Sequence, residues 1–122
     1  MFQTAIPVLH VTSSRAAEDF YCRLLGFQKE FDYLLDETKP DPCYMGVRRE
    51  KAWIHLSSFS GDAVVGGVVF ILVDDVDLLY QEFVNKGVAI NLPPTDQTWG
   101  NREMYIKDPD GNSIRFVVDP TA

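Results

Sequence analysis

The chain has 122 residues, 46% apolar and 24% charged, and its 11 basic against 18 acidic side chains give a net charge of −7. That length suits one hydrophobic core and is too short for two, so a single domain over residues 1–122 is expected. The acidic balance argues against nucleic acid as a partner and mildly favours cationic ligands. With no basic-then-apolar leader and no apolar run near the roughly 20 residues that span a bilayer, no membrane partner is expected and the cytoplasm is the expected location.

Residues 5–11, Ala-Ile-Pro-Val-Leu-His-Val, read as a strand, with Pro7 near its start. A helix is predicted from about Ser14, its first amides capped by Ser13 or Ser14. Ala17, Phe20, Leu24 and Leu25 recur at helical spacing until Gly26 supplies the stop. Phe27 to Phe59 is strand-like, with Phe27, Phe31, Tyr33, Tyr44 to Val47 and Trp53 to Leu56 separated by polar or Pro-containing turns such as Lys39-Pro40-Asp41-Pro42. Cys22 in the helix and Cys43 in a strand lack CxxC spacing and paired histidines, so both read as reduced, packed thiols.

The second half begins with a strand over Val64 to Val73. Asp75 then caps a helix carrying Val76, Leu79, Phe83 and Val84, which ends at Gly87. Three further strands are expected at Val88 to Leu92, Glu103 to Lys107 and Ser113 to Val118, the last two joined by the turn Asp108-Pro109-Asp110-Gly111.

The order strand, helix, three strands therefore occurs twice, in residues 1–60 and 64–120, at an offset of about 61–62 residues. The repeat is clearest as Val11-Thr12-Ser13 against Val73-Asp74-Asp75, each just before a helix, and implies an internally repeated α+β fold of two βαβββ modules. Strand alternation puts Ile54, Leu56, Val69, Ile71, Met104, Ile106, Ile114 and Phe116 on the face that receives the helices. The opposite parity holds His55, Val68, Phe70, Glu103, Tyr105 and Arg115, a mixed aromatic and polar face where a cavity is expected.

Five segments in this order carry a family resemblance: Ile6-Pro7-Val8-Leu9; Phe20-Tyr21 followed by Leu25-Gly26-Phe27; Val73-Asp74-Asp75-Val76; Trp99-Gly100; and Asp108-Pro109-Asp110-Gly111-Asn112. Together they resemble the vicinal-oxygen-chelate superfamily of glyoxalases, bleomycin-resistance proteins and dioxygenases, over nearly the whole chain. The resemblance implies two βαβββ modules whose curved mixed sheets form an open cup, assembled as a homodimer with ligands in the cups or at the interface.

Metal-dependent members chelate a divalent ion from the first and last strands of the modules. Here Ile6, Val68 and Arg115 occupy the positions that the resemblance assigns to ligands, and only His55 lies near one. Two aliphatic side chains and a guanidinium cannot hold a catalytic metal, which needs about three protein donors. Neither a metal nor another cofactor is expected, and no catalytic residue is assigned. The resemblance is closest to the bleomycin-binding branch, which implies capture of a planar or cationic antibiotic of the bleomycin type without turnover. The alternative is a glyoxalase- or dioxygenase-type enzyme with a site rearranged around His55 and Glu103. One residue, Asn101, is extra between Trp99-Gly100 and Arg102-Glu103 relative to that branch.

The candidate ligand-binding residues are Phe31, Tyr33, Tyr44, Trp53, His55, Phe70, Trp99, Glu103, Tyr105 and Arg115. Trp99 lies in the polar loop Pro94 to Asn101 and either stacks on a planar ligand, closes the dimer interface or caps the core; the strand aromatics either wall the same cleft or pack a core. Pairing through the last turn sets Tyr105 opposite Arg115 with Glu103 within reach. A structural ion pair between Glu103 and Arg115 is therefore expected ahead of a catalytic or anion-binding role. His55 is read as a hydrogen-bonded cavity histidine, with a general base or a vestigial ligand as the other readings; His10 shares its parity near the end of a strand.

Overall fold

The computed structural model describes all 122 residues. Strands β1 (Val8–His10), β2 (Gln28–Leu34), β3 (Cys43–Arg49) and β4 (Ala52–Ser57) form one sheet in the order β1-β4-β3-β2. Strands β5 (Val68–Leu72), β6 (Leu92–Asp96), β7 (Arg102–Lys107) and β8 (Ser113–Val118) form the other, in the order β5-β8-β7-β6. In each, the first strand runs parallel to the last and the remaining neighbours are antiparallel, so both sheets are mixed and the fold is α+β with a βαβββ order in each half. No helix is long and apolar enough to cross a membrane.

The helices begin where side-chain oxygens satisfy their free amides. Ala16 N donates to Ser13 Oγ at 3.2 Å ahead of α1 (Ser14–Glu18), and Leu78 N donates to Asp75 Oδ1 at 3.0 Å ahead of α2 (Val76–Asn85). After α1 the chain continues as a π-helical segment, Asp19–Leu24, so the first helix is wider than its apolar spacing suggests. Gly87, at φ +83°, ends α2: its N–H reaches Val84 O, and Val88 N returns to Phe83 O at 3.0 Å.

That closure corrects one expectation. Val88 is a buried helix-exit residue packed in the core, not the start of a strand, and β6 begins later, at Leu92. Its Pro93 and Pro94 fall at a register shift on the sheet edge, where missing amide donors cost no ladder bond. Two other strands are shorter than expected. β1 occupies only Val8–His10 of residues 5–11, and β5 starts at Val68 because Gly66, at φ +88°, turns the chain and leaves Val64 and Val65 exposed.

Twenty buried side chains from both modules form one core, including Tyr21, Leu25, Met45, Ile54 and Leu56 with Phe83, Met104, Ile106 and Ile114. Burying one such side chain contributes about 1.5–3 kcal/mol, so this shared cluster is the main force joining the halves. Polar contacts fix their relation: Tyr21 Oη donates to Asp108 Oδ2 at 2.7 Å, and Asn112 Nδ2 donates to His10 O at 2.9 Å. Arg49 adds a two-pronged pair with Glu82 at 2.7 and 2.9 Å. With the helices and core on one side of each sheet, the opposite sheet faces stay open.

Candidate functional site

On the first sheet, alternation turns Met45, Val47, Ile54 and Leu56 into the core and Phe31, Tyr33, Tyr44, Trp53 and His55 to the open face. Phe31 pairs with Gly46, which pairs in turn with His55. Gly46 is buried beneath the Phe31 ring, and a Cβ there would overlap it, so the absence of a side chain lets the ring lie across the sheet.

Phe31 stacks with Tyr44, centroids 6.4 Å apart and planes 15° apart, and meets His55 edge-on at 5.3 Å. Tyr44 Oη and His55 Nδ1 share a 2.8 Å hydrogen bond, and Trp53 stands edge-on to the same imidazole at 6.3 Å. Burial pushes the His55 pKa below its ordinary value, so the neutral ring predominates at pH 7. His55 is thus a hydrogen-bonded histidine among aromatics. Two residues of this face escaped the sequence reading. Arg48 lies over Trp53 with its guanidinium carbon 5.7 Å from the ring centroid and pairs with Glu30, and Phe59 stacks on Tyr33 at 6.1 Å. The parity of Arg48, directly opposite Trp53, was the available signal.

On the second sheet, Phe70, Arg115 and Tyr105 form one row across β5, β8 and β7. Val68, Phe70 and Leu72 are each more than half exposed, an apolar strip along β5. Glu103, by contrast, is 2% exposed. Its Oε2 accepts from Trp99 Nε1 at 2.9 Å and Asn101 Nδ2 at 3.4 Å, and its Oε1 accepts from Tyr105 Oη at 2.5 Å. Burial alone would raise its pKa; these three donors and the nearby Arg115 charge outweigh burial and hold the carboxyl below its usual value.

The expected Glu103–Arg115 ion pair does not form. Trp99 and Asn101, from the loop before β7, take up the carboxylate, while Arg115 lies over the Tyr105 ring with its guanidinium carbon 4.6 Å from the centroid. No ion pair of the chain includes Arg115, and its Nε is the one buried side-chain nitrogen or oxygen without a hydrogen-bond partner. The extra residue, Asn101, is thus a donor to Glu103.

The ten candidate residues divide evenly between the two open faces, and no hydrogen bond or aromatic pair links the groups. None of them lines a groove of about 820 Å³ between the modules bordered by Leu25, Phe27, Ile71, Leu78 and Phe116. The Arg49–Glu82 pair and the capping Asp75 on that groove are already engaged within the chain.

The residues present do not suit a chelated metal. Ile6 and Val68 offer only carbon, Arg115 is a cation, His55 Nδ1 is engaged by Tyr44, and no three His, Cys, Asp or Glu side chains converge. What the faces offer is aromatic surface, one neutral imidazole and one unpaired guanidinium. The fold and faces together define a paired-module α+β protein with open, aromatic-lined mixed sheets.

The chain belongs to the glyoxalase superfamily: a family model described as "Glyoxalase superfamily protein" matches residues 1–120. Among solved structures it is similar to the bleomycin-binding protein of bleomycin-producing Streptomyces verticillus, crystallised with copper(II)-bleomycin, at 26% identity over 98% of each chain and a TM-score of 0.73. It shares its fold with TioX from Micromonospora sp. ML1, at 18% identity over 96% of this chain and 98% of that one, with a TM-score of 0.79. A bleomycin-binding protein solved with bleomycin likewise has this fold, at 22% identity over 97% and 99% of the two chains and a TM-score of 0.76. No curated protein sequence matches the chain.

Proposed function

We propose that this protein is a cytoplasmic binding protein that captures a planar or cationic antibiotic-like small molecule on its open sheet faces, acting by stoichiometric sequestration without turnover. In this reading two copies form a homodimer that brings the first face of one chain toward the second face of the other, so that candidate residues of both faces serve shared clefts, with the buried Glu103 holding Trp99 and Tyr105 in place. The two repeated modules, residues 1–60 and 64–120, each contribute one wall.

The observation that carries the reading is the aromatic face itself. Phe31, Tyr44 and Trp53 gather around a neutral His55 on the first sheet, and Phe70, Tyr105 and Trp99 stand on the second. Aromatic rings presented to solvent offer a bed for planar or cationic groups. The likeness to the Streptomyces verticillus bleomycin-binding protein supports the same reading.

Isothermal titration with copper(II)-bleomycin tests it, with Trp99→Ala and Trp53→Ala alongside and sedimentation reporting the assembly state. We expect saturable heat at one ligand per site and at least tenfold weaker binding in one or both variants. No heat, or binding unaltered in both, would overturn the bleomycin-type assignment.

A further inference from the structure

We infer that Arg115 anchors an oxyanion, so that the second sheet takes a flat ligand carrying a carboxylate; this rests on the reading that the open faces bind a small molecule. Arg115 is half-buried at the centre of the row Phe70–Arg115–Tyr105, its guanidinium over the Tyr105 ring. No carboxylate in the chain forms an ion pair with it, and its Nε is the single buried side-chain donor without a partner. Buried donors are nearly always partnered, and a guanidinium supplies a planar fork whose Nε and one Nη match the two oxygens of a carboxylate.

The nearest internal candidate for that role, Glu103, is sealed at 2% exposure, with both oxygens held by Trp99, Asn101 and Tyr105. Because Glu103 is spoken for, the guanidinium has no hydrogen-bonding acceptor within the chain. Around it, Phe70, Val68 and Leu72 expose an apolar strip on which a flat ring system would lie. The net charge of −7 does not forbid an anion here. Dispersed surface charge is screened beyond about 8–10 Å at ordinary ionic strength, whereas the guanidinium acts in direct contact.

The test compares three probes of equal shape by isothermal titration: 2-naphthoate, neutral 2-naphthamide and cationic 2-naphthylmethylammonium. The full chain should bind 2-naphthoate at least tenfold more tightly than the other two, and Arg115→Gln should abolish that preference. Arg115→Lys keeps the charge but loses the fork. It should retain a weakened preference for 2-naphthoate, and it carries the same test if Arg115→Gln does not fold.

Equal affinity for naphthoate and naphthamide, or an undiminished preference in Arg115→Gln, would overturn the assignment. So would naphthoate failing to bind while Arg115→Gln shifts the monomer–dimer equilibrium, because the fork would then serve a second copy of the chain. Naphthoate preference without bleomycin binding would sustain this inference and remove the bleomycin-type reading. Bleomycin binding without naphthoate preference would do the reverse.

Discussion

The indole N–H of Trp99 reaches Oε2 of Glu103 at 2.9 Å, tying a ring that is 62% exposed to a carboxylate that is almost wholly buried. Trp99 therefore serves two readings at once. Its face is open to a planar ligand, while its edge satisfies a charge that burial would otherwise penalise.

Trp99→Phe separates these roles, because it keeps the ring and removes the donor. Glu103 Oε2 would retain only Asn101, at 3.4 Å. A hydrogen bond to a charged acceptor contributes about 1.5–3 kcal/mol when buried, and the exposure of the indole puts the expected loss near the lower end. The sign of the pH dependence follows from the depressed carboxyl. Its contribution is in place above the unfolded carboxylate pKa of about 4.3 and is lost as pH falls through the lower folded value. Urea unfolding should thus show a deficit for Trp99→Phe at pH 7 that shrinks at pH 3, and equal stability at pH 7 would refute the account.

Gly46→Ala probes the first face. The added Cβ would overlap the Phe31 ring, which is exposed enough to swing away rather than force the backbone apart. The variant should lose about 1–3 kcal/mol of stability and its near-UV signal from the Phe31–Tyr44–His55 group should change. In a Phe31→Ala background the same substitution should cost much less. Additive costs in the double-mutant cycle would show that the ring is not what Gly46 accommodates.

Much of this architecture is legible in local chemistry. Ser13 and Asp75 announce both helix starts, Gly87 one stop, and period-two alternation places Ile54, Leu56, Met104, Ile106, Ile114 and Phe116 in the core with Tyr105 opposite Arg115. Where apolar pattern alone decides, the reading drifts. Val88 to Leu92 look strand-like because Val88 and Ile90 are apolar, yet Val88 is drawn inward by the hydrogen-bonded helix exit to Phe83. The Glu103–Arg115 pairing fails for another reason. Opposite charges within reach suggest a bond, but competition from loop donors two and four residues upstream of Glu103 is not encoded in strand alternation. The candidate residues are legible one at a time, and their division between two faces follows only from the sheet order.

The contact between modules makes a further prediction. Tyr21 and Asp108 are both buried, and Tyr21→Phe would leave Asp108 Oδ2 with Asn112 Nδ2 as its remaining side-chain donor. Loss of that donor should cost about 1–3 kcal/mol. Because the core is continuous across the halves, unfolding should stay a single transition with a lower urea midpoint and unchanged slope. A midpoint equal to that of the unaltered protein would mean that the hydrogen bond contributes nothing net.

His55 offers a direct reading of burial on the first face. With its pKa depressed by desolvation, the folded imidazole takes up its proton at lower pH than the unfolded one, whose value is about 6.5. The unfolded state then binds more protons between the two values, so the associated stability is fully present above about pH 6.5 and declines as pH falls toward the folded value. Proton NMR of the ring should place the His55 midpoint below that of an unstructured peptide histidine. Phe31→Ala, which uncovers the imidazole edge, should move the midpoint back up toward the peptide value, because hydration of the charged ring is restored. A midpoint at or above 6.5 in the unaltered protein would show that the aromatic face does not desolvate His55.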